Sequence, residues 1–370
     1  MDHNDPHLQR LIDQVRAASA SGTPLDIQGG HTKRFYGEAT APGLQRLDVT
    51  PLRGVSSYEP TELVVTARAG TPLAELEALL AERGQCLPFE PPSFGPASTV
   101  GGMVAAGLAG PSRAAVGSVR DYVLGTTLLN GRAEVLSFGG QVMKNVAGYD
   151  VSRVLAGSLG TLGVMLEVSL KVLPLAPATT TLRFDVSQAE AIKQLNTWGG
   201  QPLPVNASAW WDGTLVVRLR GAIAAVQAAT RTMGGEVLPD ELATPFWDGL
   251  RHHTDVFFTS AHEAIGVPAS THALWRLSVP DTAAPLSSLP GDTLVEWGGA
   301  QRWLSSDAPA AQVRAAAAAV GGHATRFLGP RPADGVFTPL SAPLARIHRD
   351  LKAAFDPAGI FNPGRLYAGL

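Results

Sequence analysis

The first clear pattern in the chain is an apolar stripe at helical spacing near the N-terminus, formed by Leu8, Leu11, Ile12 and Val15. Residues three and four apart lie on one face of an α-helix, so the stripe predicts a helix with one buried side. Asp5 is placed to cap this helix, Pro6 suits its first turn and Gly22 suits its end.

The apolar pattern then changes between strand and helix spacing. Residues 24–28 predict a strand that enters a glycine turn, and residues 62–70 predict a second strand. A helix is expected after Thr71 and Pro72, where Thr71 is the predicted cap, and Gly84 is its predicted end. Strict alternation predicts that one face of a later strand is formed by Val164, Leu166, Val168, Leu170 and Val172.

The second half of the chain repeats one order of elements, which predicts an antiparallel sheet covered by helices on one side. Ser187 and Glu190 have the spacing of a helix capping box. The first round contains a strand from residue 179, the capped helix, strands at 207–211 and 214–220, and a helix that ends at Gly234. The second contains a strand at 273–279, a short helical stretch, strands at 293–297 and 301–305, an Ala-rich helix after Asp307 and a strand at 323–327.

The C-terminal region predicts one more helix after Ser341, followed by the turn segment FDPAGIFNPG. Its apolar residues are expected to face inward: Leu344, Ile347, Leu351 and Phe355. The whole pattern is typical of an α+β protein.

Residues 86–125 are rich in Gly, Pro and Ser and predict a long irregular stretch, which compact domains keep when it has a function. Glycine-bearing segments occur at residues 29–32, 98–102, 117–121 and 157–163. Backbone without side chains can approach a pyrophosphate closely, and its N–H groups can bind the anion without a lysine. One such segment is typical of an ordinary turn, but four in one half of the chain favour a phosphate-bearing cofactor.

Composition excludes several classes of function. The 370 residues suit two domains, and the net charge of -3 gives no indication of a nucleic-acid partner. Cys86 is the only cysteine, so neither an internal disulfide nor a cysteine-ligated iron–sulfur cluster can form within the chain. No two glycines are two residues apart, which rules out the G-x-G-x-x-G fingerprint. We predict no metal site, and we expect a cytoplasmic protein that meets the inner face of the membrane only peripherally, through partners.

Five ordered segments resemble the vanillyl-alcohol-oxidase/PCMH-type FAD-binding family. They are PLDIQGGHTKRFYG, ELVVTARAGTPLAELEALLAERGQCLPFEPP, PASTVGGMVAAGLAGPSRAAVGSVRDYVLGTTLLNG, KNVAGYDVSRVLAGSLGTLGVMLEVSLKVLP and FDPAGIFNPGRL. Within this family the chain most resembles the FAD-binding E subunit of bacterial glycolate oxidase. The resemblance implies a two-subdomain PCMH-type FAD-binding domain at residues 1–176, an α+β cap domain at 177–335, and a C-terminal segment at 336–370 whose helix packs on the FAD domain.

The resemblance also implies the residues that contact FAD. The pyrophosphate loop would comprise Gly29, Gly30, His31 and Thr32. The wall against the pyrophosphate and flavin would comprise Ser98, Thr99, Val100, Gly101 and Gly102, continued by Gly117 and Ser118. The adenosine end would face Gly157, Gly160, Gly163 and Val164, and Asn362 would return toward the flavin.

His31 leaves the mode of flavin attachment open. In some relatives a histidine in an R-x-G-G-H segment is bonded covalently to the flavin 8α-methyl group. Here the segment reads Ile27-Gln28-Gly29-Gly30-His31, without that arginine, so non-covalent binding is favoured. His31 would then donate a hydrogen bond to the pyrophosphate or pack beside the flavin ring.

The chain departs from its catalytic relatives because it lacks the G-H-x-G-D-G-N-x-H segment, in which histidines help to hold metal and substrate. The segments around His262 and His323 do not reproduce it, and the adjacent His252 and His253 are typical of a solvated helix end. We therefore assign no catalytic residue. A substrate carboxylate needs a cation, and the candidates are Arg276, Arg302 and Arg326, although surface salt bridges are the commoner role of such arginines.

The segment KNVAGYD has two interpretations. Lys144, Asn145, Tyr149 and Asp150 form either a polar rim near the flavin or a loop that caps the following helix.

The function that the resemblance implies is oxidation of glycolate, a small 2-hydroxy acid, to glyoxylate. Electrons would pass through FAD to an iron–sulfur subunit and then to quinone, and the partners would be that subunit and a sister flavin subunit. Two alternatives remain: a self-sufficient FAD-dependent oxidoreductase acting on another hydroxy acid or alcohol, and a non-catalytic subunit whose FAD stabilises the fold.

Overall fold

The computed structural model describes residues 5–140, 150–331, 333 and 335–370. The N-terminal half contains α1 (Pro6–Ser21), β1 (Leu25–Gln28), β2 (Gln45–Asp48), β3 (Val55–Glu59), β4 (Val64–Arg68), α2 (Leu73–Ala81), β5 (Gln85–Cys86), α3 (Val100–Ala106), α4 (Arg113–Val116), α5 (Val119–Tyr122), β6 (Val123–Leu129), β7 (Val135–Gly139), α6 (Val151–Val154), β8 (Val164–Lys171) and β9 (Leu173–Pro174). Strands β1 and β2 form a parallel pair. Strands β3-β4-β8-β6-β7 form an antiparallel sheet.

The first helix confirms its predicted boundaries. The side chain of Asp5 accepts a hydrogen bond from the backbone N–H of His7, Pro6 opens the helix, and Gly22 ends it in the left-handed conformation. The predicted cap of α2 is wrong. The Thr71 hydroxyl donates to the Gly54 carbonyl and accepts from the Gly54 N–H, so it joins two loops rather than capping the helix.

Two apolar cores surround the five-stranded sheet. One lies under α2 and α3 and contains Val168, Leu170 and Val172 of β8 and its extension. The other lies under α1 and contains Val164 and Leu166. These five residues were predicted to share one face, but an irregular register where β8 pairs with Thr127 and Leu128 divides them between the cores.

The cap contains the helices α7 (Gln188–Gly199), α8 (Ile223–Met233), α9 (Asp240–His252), α10 (Val256–Gly266) and α11 (Ala310–Ala319). Its sheet contains the strands β10 (Ala178–Asp185), β11 (Val205–Trp211), β12 (Thr214–Gly221), β13 (Glu236–Leu238), β14 (Ala273–Ser278), β15 (Asp292–Glu296), β16 (Gln301–Ser306) and β17 (His323–Leu328). Its order is β13-β10-β12-β11-β15-β16-β14-β17, with antiparallel pairing throughout. The second half of this order mirrors the first, which confirms the predicted repeat.

Helices cover one face of the cap sheet, as predicted, because α7 and α8 share one core with it and α11 shares another. The other face meets the N-terminal half through a third core that also includes α9 and α10. The short helical stretch predicted between β14 and β15 is wrong, since residues 279–291 form turns. The prediction of an irregular segment at 86–125 is also wrong in part, because α3, α4 and α5 lie within it.

The C-terminal helix, α12 (Ala342–Phe355), packs on the N-terminal half, where Leu351 and Phe355 contact the core under α2. The prediction that Leu344 and Ile347 face inward is wrong: 48% and 59% of their surface is exposed. Within the described part of the chain, every helix is too short or too polar to cross a membrane.

Candidate cofactor site

Three of the four predicted glycine segments, at residues 29–32, 98–102 and 157–163, contribute to one cleft together with the C-terminal turn. Its lining includes seven of the predicted site residues: Gly29, Gly30, His31, Thr32, Thr99, Gly102 and Asn362. The floor between them is formed by Ala105 and Ala106 of α3 and by Leu159. The sequence segments that the family resemblance singled out are therefore close together in space, although up to 333 residues separate them in sequence (362 − 29 = 333).

The glycines of the first loop are required by the close approach of two backbone segments. A Cβ atom on Gly30 would lie 1.5 Å from the carbonyl oxygen of Ala97, and one on Gly29 would lie 2.6 Å from Thr99 Oγ1. Any side chain at Gly30 would push the two segments apart. The contact brings the β1 loop and the start of α3 to the same side of the cleft.

Asn362 ties the C-terminal turn to two of these loops. Its Oδ1 accepts a hydrogen bond from the Ile27 N–H at 2.8 Å, and its Nδ2 donates to the Leu159 carbonyl at 2.7 Å. The backbone adds a bond from the Leu25 N–H to the Ile360 carbonyl. Asn362 has φ +40°, a conformation that asparagine tolerates better than most residues. It therefore fixes the spacing of the cleft walls.

The segment from Ser98 to Gly102 begins a helix, which places its members differently. Thr99 caps α3 by accepting a bond from the Gly102 N–H. Val100 is fully buried in the core, and the Gly101 N–H donates to the Ala69 carbonyl. Ser98 is buried and its hydroxyl accepts a bond from Lys33. Thr99 and Gly102 line the cleft, whereas Val100 and Gly101 hold α3 against β4.

The fourth glycine segment packs on the end of α3. The Gly157 N–H donates to the Val104 carbonyl, and Gly157 lines a second cavity beside α12. A Cβ atom on Gly160 would lie 2.7 Å from Asn362 Nδ2, so a glycine at this position leaves room for the Asn362 amide. A Cβ atom on Gly163 would lie 2.9 Å from the Leu129 carbonyl oxygen, and the side chain of Val164 is fully buried in the core under α1.

Gly117 and Ser118 lie at the junction of α4 and α5 and do not line the cleft. The Ser118 N–H and hydroxyl both donate to the carboxylate of Asp121, which forms a capping box for α5. This arrangement already uses the polar groups of Ser118.

The sequence analysis missed the positive charges of the cleft. Lys33, Arg34 and Arg365 all line it. Arg34 pairs with Asp26 at 2.6 Å, and Arg365 donates to the backbone carbonyls of Tyr36 and Glu38. Lys33 and Arg34 directly follow the first glycine loop, and Arg365 follows the FNPG turn. Their position next to those motifs was the signal that could have identified them.

His31 is exposed and adopts a left-handed backbone conformation at φ +59°, with its side chain on the cleft. The described part of KNVAGYD is Asp150 alone, since Lys144, Asn145 and Tyr149 lie outside the described residues. Asp150 accepts a bond from the Arg153 N–H and caps α6, which agrees with the capping interpretation for this one residue.

The cap face that meets this half of the molecule is aromatic. Its interface core includes Tyr36, Leu108 and Leu159 from one side and Trp303 and Phe327 from the other. His253 is buried there, with its ring stacked on Phe258 at 3.9 Å, and burial holds its pKa well below 6.5. The prediction of a solvated helix end at His252 and His253 is wrong, because Ser93 also bonds the ring of His252.

The three candidate arginines of the cap have separate environments. Arg302 is almost fully buried and donates to the carbonyls of Gly299 and Ala283, so the predicted surface salt bridge is wrong for this residue. Arg276 donates to the Tyr36 hydroxyl at 3.0 Å across the interface, and Arg326 lies over the ring of Trp275. The structure does not bring the three together into one anion site.

A buried ion pair joins the two halves. Glu90 accepts two bonds from one guanidinium nitrogen of Arg218, at 2.7 and 2.8 Å, one bond from Arg220 and one from the Ser112 N–H. Burial alone would raise the pKa of Glu90, but the two arginines outweigh it and lower the pKa below 4.5. The carboxylate is therefore ionised at neutral pH, and it fixes the cap sheet to the loop before α3.

Comparisons with known proteins agree with this geometry. Residues 7–139 match the family described as FAD binding domain. The chain is 49% identical over 98% of both chains to the glycolate oxidase subunit GlcE of Escherichia coli (strain K12). It is 28% identical to the glycolate oxidase subunit GlcD of Bacillus subtilis (strain 168), over 48% of this chain and 37% of that one. A solved alkyldihydroxyacetonephosphate synthase shares the fold, with a TM-score of 0.65 at 14% identity over 96% of this chain and 74% of that one.

The cleft fits a cofactor that carries phosphates. Gly29 and Gly30 leave one wall without side chains. Lys33 is also a lining residue, and its ammonium group has no carboxylate within ion-pair distance among the described residues. The apolar floor at Ala105, Ala106 and Leu159 suits a ring system. The arrangement can hold a dinucleotide in an extended form along the joined loops.

Proposed function

Because the chain belongs to the family of the glycolate oxidase subunit GlcE, we propose that it is the FAD-binding subunit of a complex that oxidises glycolate to glyoxylate. The observation that carries this proposal is the identity of 49%, which extends over 98% of both chains and so includes the cap as well as the cofactor loops. The match at residues 7–139 identifies the cofactor as FAD.

The protein is a FAD-dependent oxidoreductase of the class that acts on CH–OH groups. When bound, FAD accepts the two electrons that leave the hydroxy acid. The contribution of this chain is to bind and orient the cofactor. Asn362 holds the β1 loop against Leu159, and the Glu90–Arg218 pair holds the cap over the same side of the molecule.

We assign the cofactor contacts by region. The pyrophosphate is bound by residues 29–32 together with Thr99 and Gly102, and the adenosine end lies toward Gly157. Gly160 is packed against the amide of Asn362 and lies with that residue rather than at the adenosine end. Asn362 supports the flavin side. The boundaries of the FAD domain at 1–176, the cap at 177–335 and the C-terminal segment at 336–370 belong to the same proposal.

The name of the relative indicates a complex of several subunits. We infer that the partners are a second flavin subunit and an iron–sulfur subunit that passes electrons to quinone. The single Cys86 supports this, since a cysteine-ligated cluster cannot form in this chain and electrons need another route out.

The cofactor proposal is tested by the flavin content of the purified chain and of a Gly30→Val variant. The parent is expected to carry one FAD per chain, and the variant is expected to carry little, because its side chain would collide with the Ala97 carbonyl. Gly199→Ala is the matched control, since a Cβ atom there meets nothing within 4 Å. A parent protein that stays colourless after incubation with FAD would contradict the proposal.

A further inference from the structure

Lys33 is a partly buried cation with no acidic partner in the part of the chain that the structure describes. Its ammonium group donates to Ser98 Oγ at 2.7 Å, to the Ser93 carbonyl at 3.1 Å and to Thr32 Oγ1 at 3.4 Å. All three acceptors are neutral, and no described carboxylate lies within ion-pair distance. The ring of Phe94 lies 5.8 Å away and adds only a weak attraction.

This arrangement is unfavourable for the folded chain by itself. Burial lowers the pKa of Lys33 to about 8, with no opposing charge to raise it. Asp26, the acidic residue that lines the same cleft, is already paired with Arg34 and bonded to Gln28. A charge in such a position normally has a counterion.

The position of Lys33 indicates where that counterion binds. Lys33 follows Gly30 by three residues, and its ammonium group is bonded to Ser98, next to Ala97 and Thr99. Ala97 and Thr99 are the residues that Gly30 and Gly29 approach so closely that neither glycine could carry a side chain. The longest of its three bonds, to Thr32, is the one that an incoming anion can replace at least cost.

We propose that Lys33 is a cofactor-positioning residue whose ammonium group pairs with the pyrophosphate of FAD. The inference rests on the proposed function, since it takes FAD as the ligand of the cleft. It assigns to this chain a charged phosphate contact within a loop whose glycines alone would bind by backbone N–H groups.

A purely structural role makes a different prediction. If Lys33 only joined the 29–34 loop to Ser93 and Ser98, its replacement would destabilise the chain without FAD and weaken every flavin ligand alike. If it serves the pyrophosphate, replacement by an uncharged residue relieves an unpaired charge and affects only ligands that carry phosphates.

The experiment uses the full chain, stripped of flavin, and compares Lys33→Met with Lys33→Arg and with Lys193→Met, an exposed control on α7. Dissociation constants are measured for FAD and for riboflavin, which has no phosphate, and melting temperatures are measured without flavin. For Lys33→Met we expect FAD binding to weaken by about 10- to 100-fold. We expect riboflavin binding to stay within about threefold, a shift too small for a lost ion pair, and the flavin-free melting temperature to stay level or rise. Lys33→Arg should restore most of the affinity for FAD.

Equal losses for FAD and riboflavin, unchanged FAD binding in Lys33→Met, or a lower flavin-free melting temperature would each overturn the assignment. FAD binding by the parent chain is measured first. A parent that binds no FAD refutes the proposed function itself, whereas a parent that binds FAD as tightly as Lys33→Met refutes only the role of Lys33.

Discussion

The side chain of Asn362 accepts a hydrogen bond from the backbone N–H of Ile27, which lies 335 residues away in sequence, and this bond joins two walls of the cofactor cleft. The same side chain bonds the Leu159 carbonyl, so one amide satisfies a donor on one loop and an acceptor on another. The C-terminal turn therefore forms part of the cleft wall.

Replacing Asn362 by Ala should lower both stability and FAD affinity. Two buried backbone groups would lose their partners, at a cost of about 3 kcal/mol in the free energy of unfolding. Chemical denaturation and FAD titration measure the two effects. Asn196→Ala is the control, because Asn196 also bonds two backbone groups, the carbonyls of Ile192 and Asp281, but lies on α7 in the cap. If both variants reduced FAD affinity equally, the two bonds of Asn362 would have no specific role in FAD binding.

Replacing Glu90 by Gln should destabilise the protein by about 3 kcal/mol at neutral pH, because Arg218 would remain buried without a negative partner. The exposed pair of Arg53 and Glu75 is the control, and Glu75→Gln should cost less than about 1 kcal/mol. Since the folded-state pKa of Glu90 lies below 4.5, its stabilising effect is present above pH 4.5 and is lost as the pH falls through the folded pKa. A Glu90→Gln variant with the acid unfolding curve of the parent would contradict this.

Glu296 should give the opposite pH dependence. Its carboxyl group is buried, and burial raises its pKa to about 7 in spite of bonds from Trp303 and Gln301. The stability that it contributes is full below its ordinary pKa of 4.5 and is lost as the pH rises toward 7, by about 3 kcal/mol in all. Glu296→Gln keeps the acceptor oxygen and should lose less stability than the parent between pH 5 and pH 8. Parallel denaturation profiles for the two proteins would show that the carboxyl group does not titrate in this range.

The flavin should be released by acid. His31 is exposed and lines the cleft, so attachment is sterically open, but the arginine of the covalent form is absent from the segment Ile27-Gln28-Gly29-Gly30-His31. Acid precipitation should leave the flavin in the supernatant, and the denatured chain should show no fluorescence on a gel. Fluorescence that stays with the chain and disappears in His31→Ala would establish a covalent bond instead.

Much of the fold could be predicted from local signals. Asp5, Pro6 and Gly22 bounded α1, and the capping box of Ser187 and Glu190 bounded the start of α7. Both signals depend on residues within a few positions of each other. Helices α9 and α10 were missed because their sequences are atypical: α9 contains Pro245, and α10 begins with three residues, from Val256 to Phe258, that favour strands.

The site was predictable only as far as its sequence motifs. Gly29, Gly30 and Asn362 lie in motifs, and the structure brings them to one cleft. Val164 could not be separated from the cleft residues in advance, because its burial depends on the packing of α1 against β8. The role of Lys33 depends on its distance from every carboxylate in the folded chain, which no local pattern contains.

The central claim is that this chain supplies bound FAD to a complex that oxidises glycolate. The most direct measurement is glycolate-dependent reduction of an artificial dye by the isolated chain and by the complex assembled with its partner subunits. The account predicts FAD in both samples, weak or absent turnover by the isolated chain, and turnover by the complex that falls when Gly30→Val replaces the parent chain. Rapid glycolate turnover by the isolated chain, or full activity of a complex that contains Gly30→Val without FAD, would contradict it.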